Sequence, residues 1–153
     1  MQMWRNPVLA AAAIAATLVT AATVSVAQEE NAGVIQYRKA VMSGMGGHMG
    51  AISRIVRGEV DFADHLAAHA QALNDLANMI PDAFAEQGSG ADTRSLPLVW
   101  EDHEGFLAAA EELKTATVAF AAAAETGDMD AVTAAFGPVG AACQSCHQTY
   151  RAQ

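Results

Sequence analysis

Basic residues are scarce in this sequence. Its 153 residues hold 8 Lys and Arg against 17 Asp and Glu, a formal charge of −9. No run of cations appears anywhere along the chain, and a nucleic-acid binder needs a basic footprint, which excludes nucleic acid as a partner. Charged residues make up only 16% and hydrophobic residues 52%, a balance too apolar for a disordered chain. There are 4 prolines and almost no β-branched alternation, which excludes an all-β domain. Long uncharged and strongly apolar runs are also lacking, with one exception at residues 8–26. Ala-rich stretches carrying Leu, Met, Gln and Glu favour helix instead, and residues 28–153 contain no internal repeat.

The exception reads as an address. Residues 1–7 hold one cation, Arg5, and no acid. The uncharged run then ends in Ser25-Val26-Ala27, with small residues where a signal peptidase reads. The run is long enough to span a bilayer as an uncleaved anchor, but it is rich in Ala and Thr and closes on a cleavage-like site, which favours removal. The expected organisation is therefore a leader at residues 1–27 and one domain at 28–153, with no membrane attachment after cleavage. Arg5 leaves with the leader, so the exported chain is one charge more acidic. Export implies an oxidising compartment, the bacterial periplasm.

Four amphipathic stretches follow. The first, Asn31 to Arg57, carries Val34, Ile35, Val41, Met42, Met45, Met49, Ile52 and Ile55 at helical spacing. Gly44, Gly46, Gly47 and Gly50 interrupt it, predicting close approach of another helix or a flat ligand, or a kink. The second, Asp61 to Ile80, places Phe62, Leu66, His69, Leu73, Leu76 and Ile80 on one seam. Pro81 ends it, and residues 81–97 form the one long loop, a length that usually signals function. The third, Leu98 to Glu125, repeats Val99, His103, Phe106, Ala110, Leu113, Thr117, Phe120 and Ala124. The fourth runs from Met129 to Arg151 and has Gly137-Pro138 and Gly140 as an expected bend. Four such stretches predict an all-α, antiparallel four-helix bundle, whose core is where a cofactor sits.

Cysteine is nearly absent, and its placement is informative. Cys143 and Cys146 stand three apart, where a disulfide would close a tiny loop and staple nothing distant. With His147 they spell Cys143-Gln144-Ser145-Cys146-His147, the C-x-x-C-H pattern of covalent haem c attachment. On a helix, positions i, i+3 and i+4 share a face. Both thiols can then reach the vinyl groups at one porphyrin edge while His147 lies over the iron as proximal ligand. A thioredoxin-like site would need a βαβ context, and a zinc site would need further ligands in support, for which His65 and His69 are the only candidates at ligand spacing. No His has Glu three residues before it, which excludes the di-iron bundle pattern.

Together with Tyr37-Arg38-Lys39-Ala40-Val41-Met42, Pro97-Leu98-Val99-Trp100 and Phe136-Gly137-Pro138-Val139-Gly140, the motif resembles the class II cytochromes c, which comprise cytochrome c′ and the low-spin cytochrome c-556. The likeness spans essentially residues 28–153. It implies a haem c near the C-terminal helix of the bundle, with Cys143 and Cys146 as thioether cysteines and His147 as proximal ligand. Arg151 matches a basic residue beside the proximal haem face, although a cation at a helix C-terminus has a reason of its own. Arg38 matches an arginine expected near a haem propionate, and Lys39 is assigned to cofactor binding with it. Met42 falls on the position facing the distal side of the iron, where it either coordinates or only blocks the sixth site, and Met45 is a second candidate. His48 is expected to face solvent or a backbone carbonyl, and His65, His69 and His103 to be hydrogen-bonded helix residues. Redox partner proteins follow if the protein carries electrons, and a small gas such as nitric oxide if the iron is five-coordinate. The Val41, Met42 and Met45 stripe offers no distal acid or base, which argues against a haem enzyme. Relatives often pair through their first two helices, so a homodimer is a further expectation.

Overall fold

The structure is a computed structural model; it describes the backbone of residues 11–88 and 92–153 and the side chains of residues 32–88 and 92–153. The expected leader, residues 1–27, lies outside the residues whose side chains are described. No helix among the described residues is long and apolar enough to cross a membrane.

Helix α1 spans Ala11–Val56, α2 Leu66–Asn78, α3 Ile80–Ala83, α4 Leu98–Glu101, α5 His103–Glu125 and α6 Met129–Tyr150, with a single 3-10 turn at Ala63–His65. The four long helices form the expected bundle: α1 packs on α2, α2 on α5, α5 on α6, and α6 returns to α1. Its core contains Ile52, Leu73, Val99, Phe120, Val132 and Val139, all fully buried.

The periodicity of α5 is realised as predicted. Phe106, Ala110, Leu113, Thr117, Phe120 and Ala124 are all buried, and only His103 of that seam is half-buried. The helix does not run on from Leu98, however. Asp102 breaks the chain and caps α5, its carboxylate accepting from Gly105 N at 3.3 Å and from the Tyr150 hydroxyl at 2.9 Å. One side chain thus starts α5 and ties it to the end of α6. At the other end, Gly127 adopts φ +70° and Asp128 caps α6 through Asp130 N at 2.9 Å. The tight α5–α6 turn follows from those two residues.

Three expectations need correction. The first helix does not start at Asn31: the chain is already helical at Ala11, the first described residue. In α2 the deepest positions are Leu66, Ala70, Leu73 and Ala77, not the seam through His69 and Leu76. Alanine lets the neighbouring backbone approach, and the larger side chains flank the contact. Phe62 lies before the helix and is 54% exposed, so it is not a core residue. The glycines of α1 produce no break in the helix. Gly44 meets Leu76, whose Cδ1 would lie 3.3 Å from an added Cβ, so this glycine answers the approach of another helix. Helix α6 also continues through Pro138, which is exposed.

Candidate functional site

A cavity of about 750 Å³ opens between α1, α5, α6 and the long loop. That is within the about 300–1,000 Å³ usual for cofactor pockets. Arg38, Lys39, Met42, Cys143, Cys146, His147 and Arg151 all line it. Every residue singled out for the cofactor from the sequence is thus brought to one place, from two helices more than ninety positions apart in the chain. Met45 lines it as well, whereas Val41 is buried outside it. Gly46 and Gly140 also face the space, and an added Cβ at either would meet nothing within 4 Å. Gly140 thus leaves the cavity room on the α6 side.

Cys143 and Cys146 are half-buried free thiols on α6. Burial pushes the Cys143 thiol up, and burial together with Cys143 pushes Cys146 up to about 11. They are protonated, weakly reactive thiols at neutral pH. His147 follows on the same helix. Burial, and then the positive charges of Arg151 and Arg94, hold its pKa below the ordinary imidazole value. A neutral imidazole is the form that binds a metal. Arg151 Nη1 stands 3.3 Å from His147 Nδ1, and Arg151 is also the C-cap residue of α6. Its two expected roles are compatible.

Arg38 is 3% exposed, a rarity for an arginine. Its Nη2 donates to Glu86 O at 2.9 Å and Gln87 O at 2.8 Å, and the guanidinium lies over the rings of Phe84 and Trp100, 5.4 Å and 5.1 Å from their centroids. Trp100 Nε1 in turn donates to Phe84 O at 2.8 Å. Arg38 Nε and Nη1 are buried with no partner. A buried charge with two idle donors on the wall of a cavity calls for an anionic acceptor there. A propionate-bearing, otherwise apolar macrocycle meets that demand, and the paired thiols and neutral imidazole supply its other attachments. The residues therefore fit haem c.

The loop contributes more than its length suggested. Asp92, Thr93, Arg94 and Ser95 line the cavity, and Lys39 forms a short ion pair with Asp92 at 2.5 Å. The far end of the loop is strapped to the C-terminus by Leu96 N to Tyr150 O at 2.9 Å and Ala152 N to Arg94 O at 2.8 Å. Arg94 was not anticipated as a site residue; the available signal was its being a lone cation in a loop already marked as functional. Four of the chain's 8 basic residues, Arg38, Lys39, Arg94 and Arg151, gather at this cavity. An acidic protein thus carries a locally basic site.

The other histidines lie elsewhere. His103 Nδ1 contacts Val99 O at 3.2 Å. His48 faces neither solvent alone nor a carbonyl, as had been expected; its Nδ1 lies 2.9 Å from Nδ1 of His69. His65 stacks on Phe62, with ring centroids 5.2 Å apart, rather than making a hydrogen bond.

The family profile described as Cytochrome C′ matches residues 33–151. A cytochrome c′ of Rhodospirillum rubrum is 33% identical over 141 residues, covering 91% of this chain and 96% of the relative. A cytochrome c-556 of Agrobacterium fabrum is 36% identical over 121 residues, 78% of this chain and 82% of the relative. Among solved structures, cytochrome c′ from Thermochromatium tepidum superposes with a TM-score of 0.72 at 38% identity, covering 80% of this chain and 97% of the other. A nitric oxide complex of a variant cytochrome c prime from Alcaligenes xylosoxidans gives 0.73 at 30% identity, covering 80% and 96%.

Proposed function

Because the chain belongs to the cytochrome c′ family and is a haem c protein, we propose that it is an exported single-electron carrier whose haem is bound by His147 and Met42. In this reading residues 1–27 are a cleaved leader, residues 28–153 are the working domain, and the protein operates in the periplasm. The observation that carries the proposal is Met42. It is half-buried on α1 and lines the same cavity as His147 of α6, and a thioether and an imidazole are a pair of groups that would hold a haem iron.

When bound, haem c supplies a one-electron iron couple. The chain's residues tune and present it. Cys143 and Cys146 hold it through thioethers, so that it cannot dissociate between encounters. His147 is kept unprotonated by burial and by the neighbouring guanidiniums. Arg38 offers its two idle donors to a propionate. Ile35, Val99, Phe106 and Leu113 keep that part of the cavity dry. With Lys39 balanced by Asp92, the cations Arg94 and Arg151 set a positive potential at the cavity, which suits an acidic face on a redox partner protein, while the acidic remainder of the surface repels it from other orientations.

A second reading has its own support. The Met42, Met45 and Met49 wall is apolar and adaptable, and a relative has been solved with nitric oxide bound. If Met42 only shields the iron, the protein is a five-coordinate binder of small gases. Absorption and resonance Raman spectra of the haem-loaded protein separate the two: low-spin iron that becomes high-spin in Met42→Ala supports the carrier, and high-spin iron in the unaltered protein supports gas binding. Tyr37, Phe62 and Met79, three of the exposed large apolar residues, lie on α1 or at the ends of α2, which supports a homodimer through these two helices; solution scattering tests it.

A further inference from the structure

Outside the haem cavity, α1, α2 and the 3-10 turn that leads into α2 gather three of the chain's 5 histidines. His48 of α1 and His69 of α2 are half-buried, with Nδ1 atoms 2.9 Å apart, ring centroids at 5.1 Å and an interplanar angle of 62°. His65 stands four residues before His69, its ring centroid 6.5 Å away, and stacks on Phe62. None of the three lines the haem cavity.

The spacing of the pair has a specific chemical meaning. Two nitrogens bound to one ion at about 2.0–2.1 Å, with an angle between square and tetrahedral, lie about 2.9–3.4 Å apart. In the structure the two rings are hydrogen-bonded: nitrogens 2.9 Å and centroids 5.1 Å apart put the ring axes nearly in line, so each ring has to tilt for both nitrogens to meet one ion. Histidines at i and i+4 on a helix face are a known bidentate arrangement, and His65 and His69 have that spacing. Among the described residues no three His, Cys, Asp or Glu side chains converge on a metal position, so an ion has to displace the His48–His69 hydrogen bond and the exposed His65 has to turn off Phe62 to join the pair. We propose that His48 and His69, completed by His65, form a surface site for a divalent, imidazole-binding transition metal, Cu²⁺ or Zn²⁺, which clamps α1 to α2. Water completes the shell, and copper binds more tightly than zinc.

The test is a titration of copper sulfate or zinc chloride into the haem-loaded full chain in a non-coordinating buffer. One equivalent binds with a rise in Tm, since the ion favours the folded state, and the haem spectrum does not change. His48→Gln and His69→Gln each weaken binding by more than the about 10–100-fold that losing an outer-shell partner costs. His65→Gln weakens it less, and His103→Gln on α5 leaves it unchanged. Electron paramagnetic resonance of the copper-loaded unsubstituted protein, which depends on no variant's folding, shows coupling to at least two imidazole nitrogens. Absence of saturable binding, of that coupling, or of any response to both glutamine variants overturns the site.

Discussion

On α6, the side chains Cys143, Cys146 and His147 reach the cavity from five consecutive residues, and Arg151 joins them from the extended C-cap. On α1, Arg38, Lys39 and Met42 also occupy adjacent turns, but Arg38 is held by carbonyls 48 and 49 residues away and by two aromatic rings from other elements. Lys39 is held by a loop residue 53 positions off. The attachment wall is thus local: helical spacing alone aligns it. The opposite wall is a tertiary construction in which each side chain depends on a partner brought by folding. The wall that carries Cys143, Cys146 and His147 is therefore the robust part of the site, and the wall that carries Arg38, Lys39 and Met42 the part that packing can tune.

The largest effect expected from this contrast is at the attachment wall. Cys143→Ala combined with Cys146→Ala abolishes covalent attachment, so that pigment extracts into acidified organic solvent from the denatured protein; retention of the haem by the double variant breaks the account. Arg38→Ala comes next. It leaves Glu86 O and Gln87 O without their donor and removes two ring contacts, a loss of about 2–4 kcal/mol read as a lower Tm, and it frees the loop over the cavity. Arg38→Lys recovers only part, because one ammonium cannot reproduce the planar fork.

Met42→Ala sharpens the contrast differently. It shifts the spin state with little effect on Tm relative to Arg38→Ala, because Met42 is only half-buried. Unchanged low-spin spectra exclude Met42 as ligand and direct attention to Met45. In haem-free protein, the raised thiol pKa values predict that alkylation of Cys146 at pH 8 is slower than that of an ordinary cysteine and accelerates as pH rises toward about 11, since only the thiolate attacks. The smallest effect belongs to Arg151→Gln. Removing a cation beside His147 favours the oxidised iron and lowers the reduction potential, on the order of tens of millivolts, measured by spectroelectrochemistry.

The bundle was legible wherever one periodic face met one neighbour. The α5 seam could be read off Val99 through Ala124 because each position packs inward. The reading slipped in α2, where Ala70 and Ala77 rather than His69 and Leu76 are deepest. Small residues permit the close approach, and hydrophobicity alone does not register it. It slipped again at His48, whose partner on α2 lies 21 residues away with nothing in either segment to announce it. Arg94 was hidden for the same reason: its place at the cavity depends on the strap between the loop and the C-terminus.

By itself the sequence determined the helices and the common face of Cys143, Cys146 and His147, because both follow from spacing along a single helix. Folding alone decided that four of the few cations converge on one cavity, that Arg38 keeps two donors free there, and that His48 meets His69. Those outcomes depend on contacts between elements, and a contact between elements is set by how faces pack, not by the residues next to it in the chain.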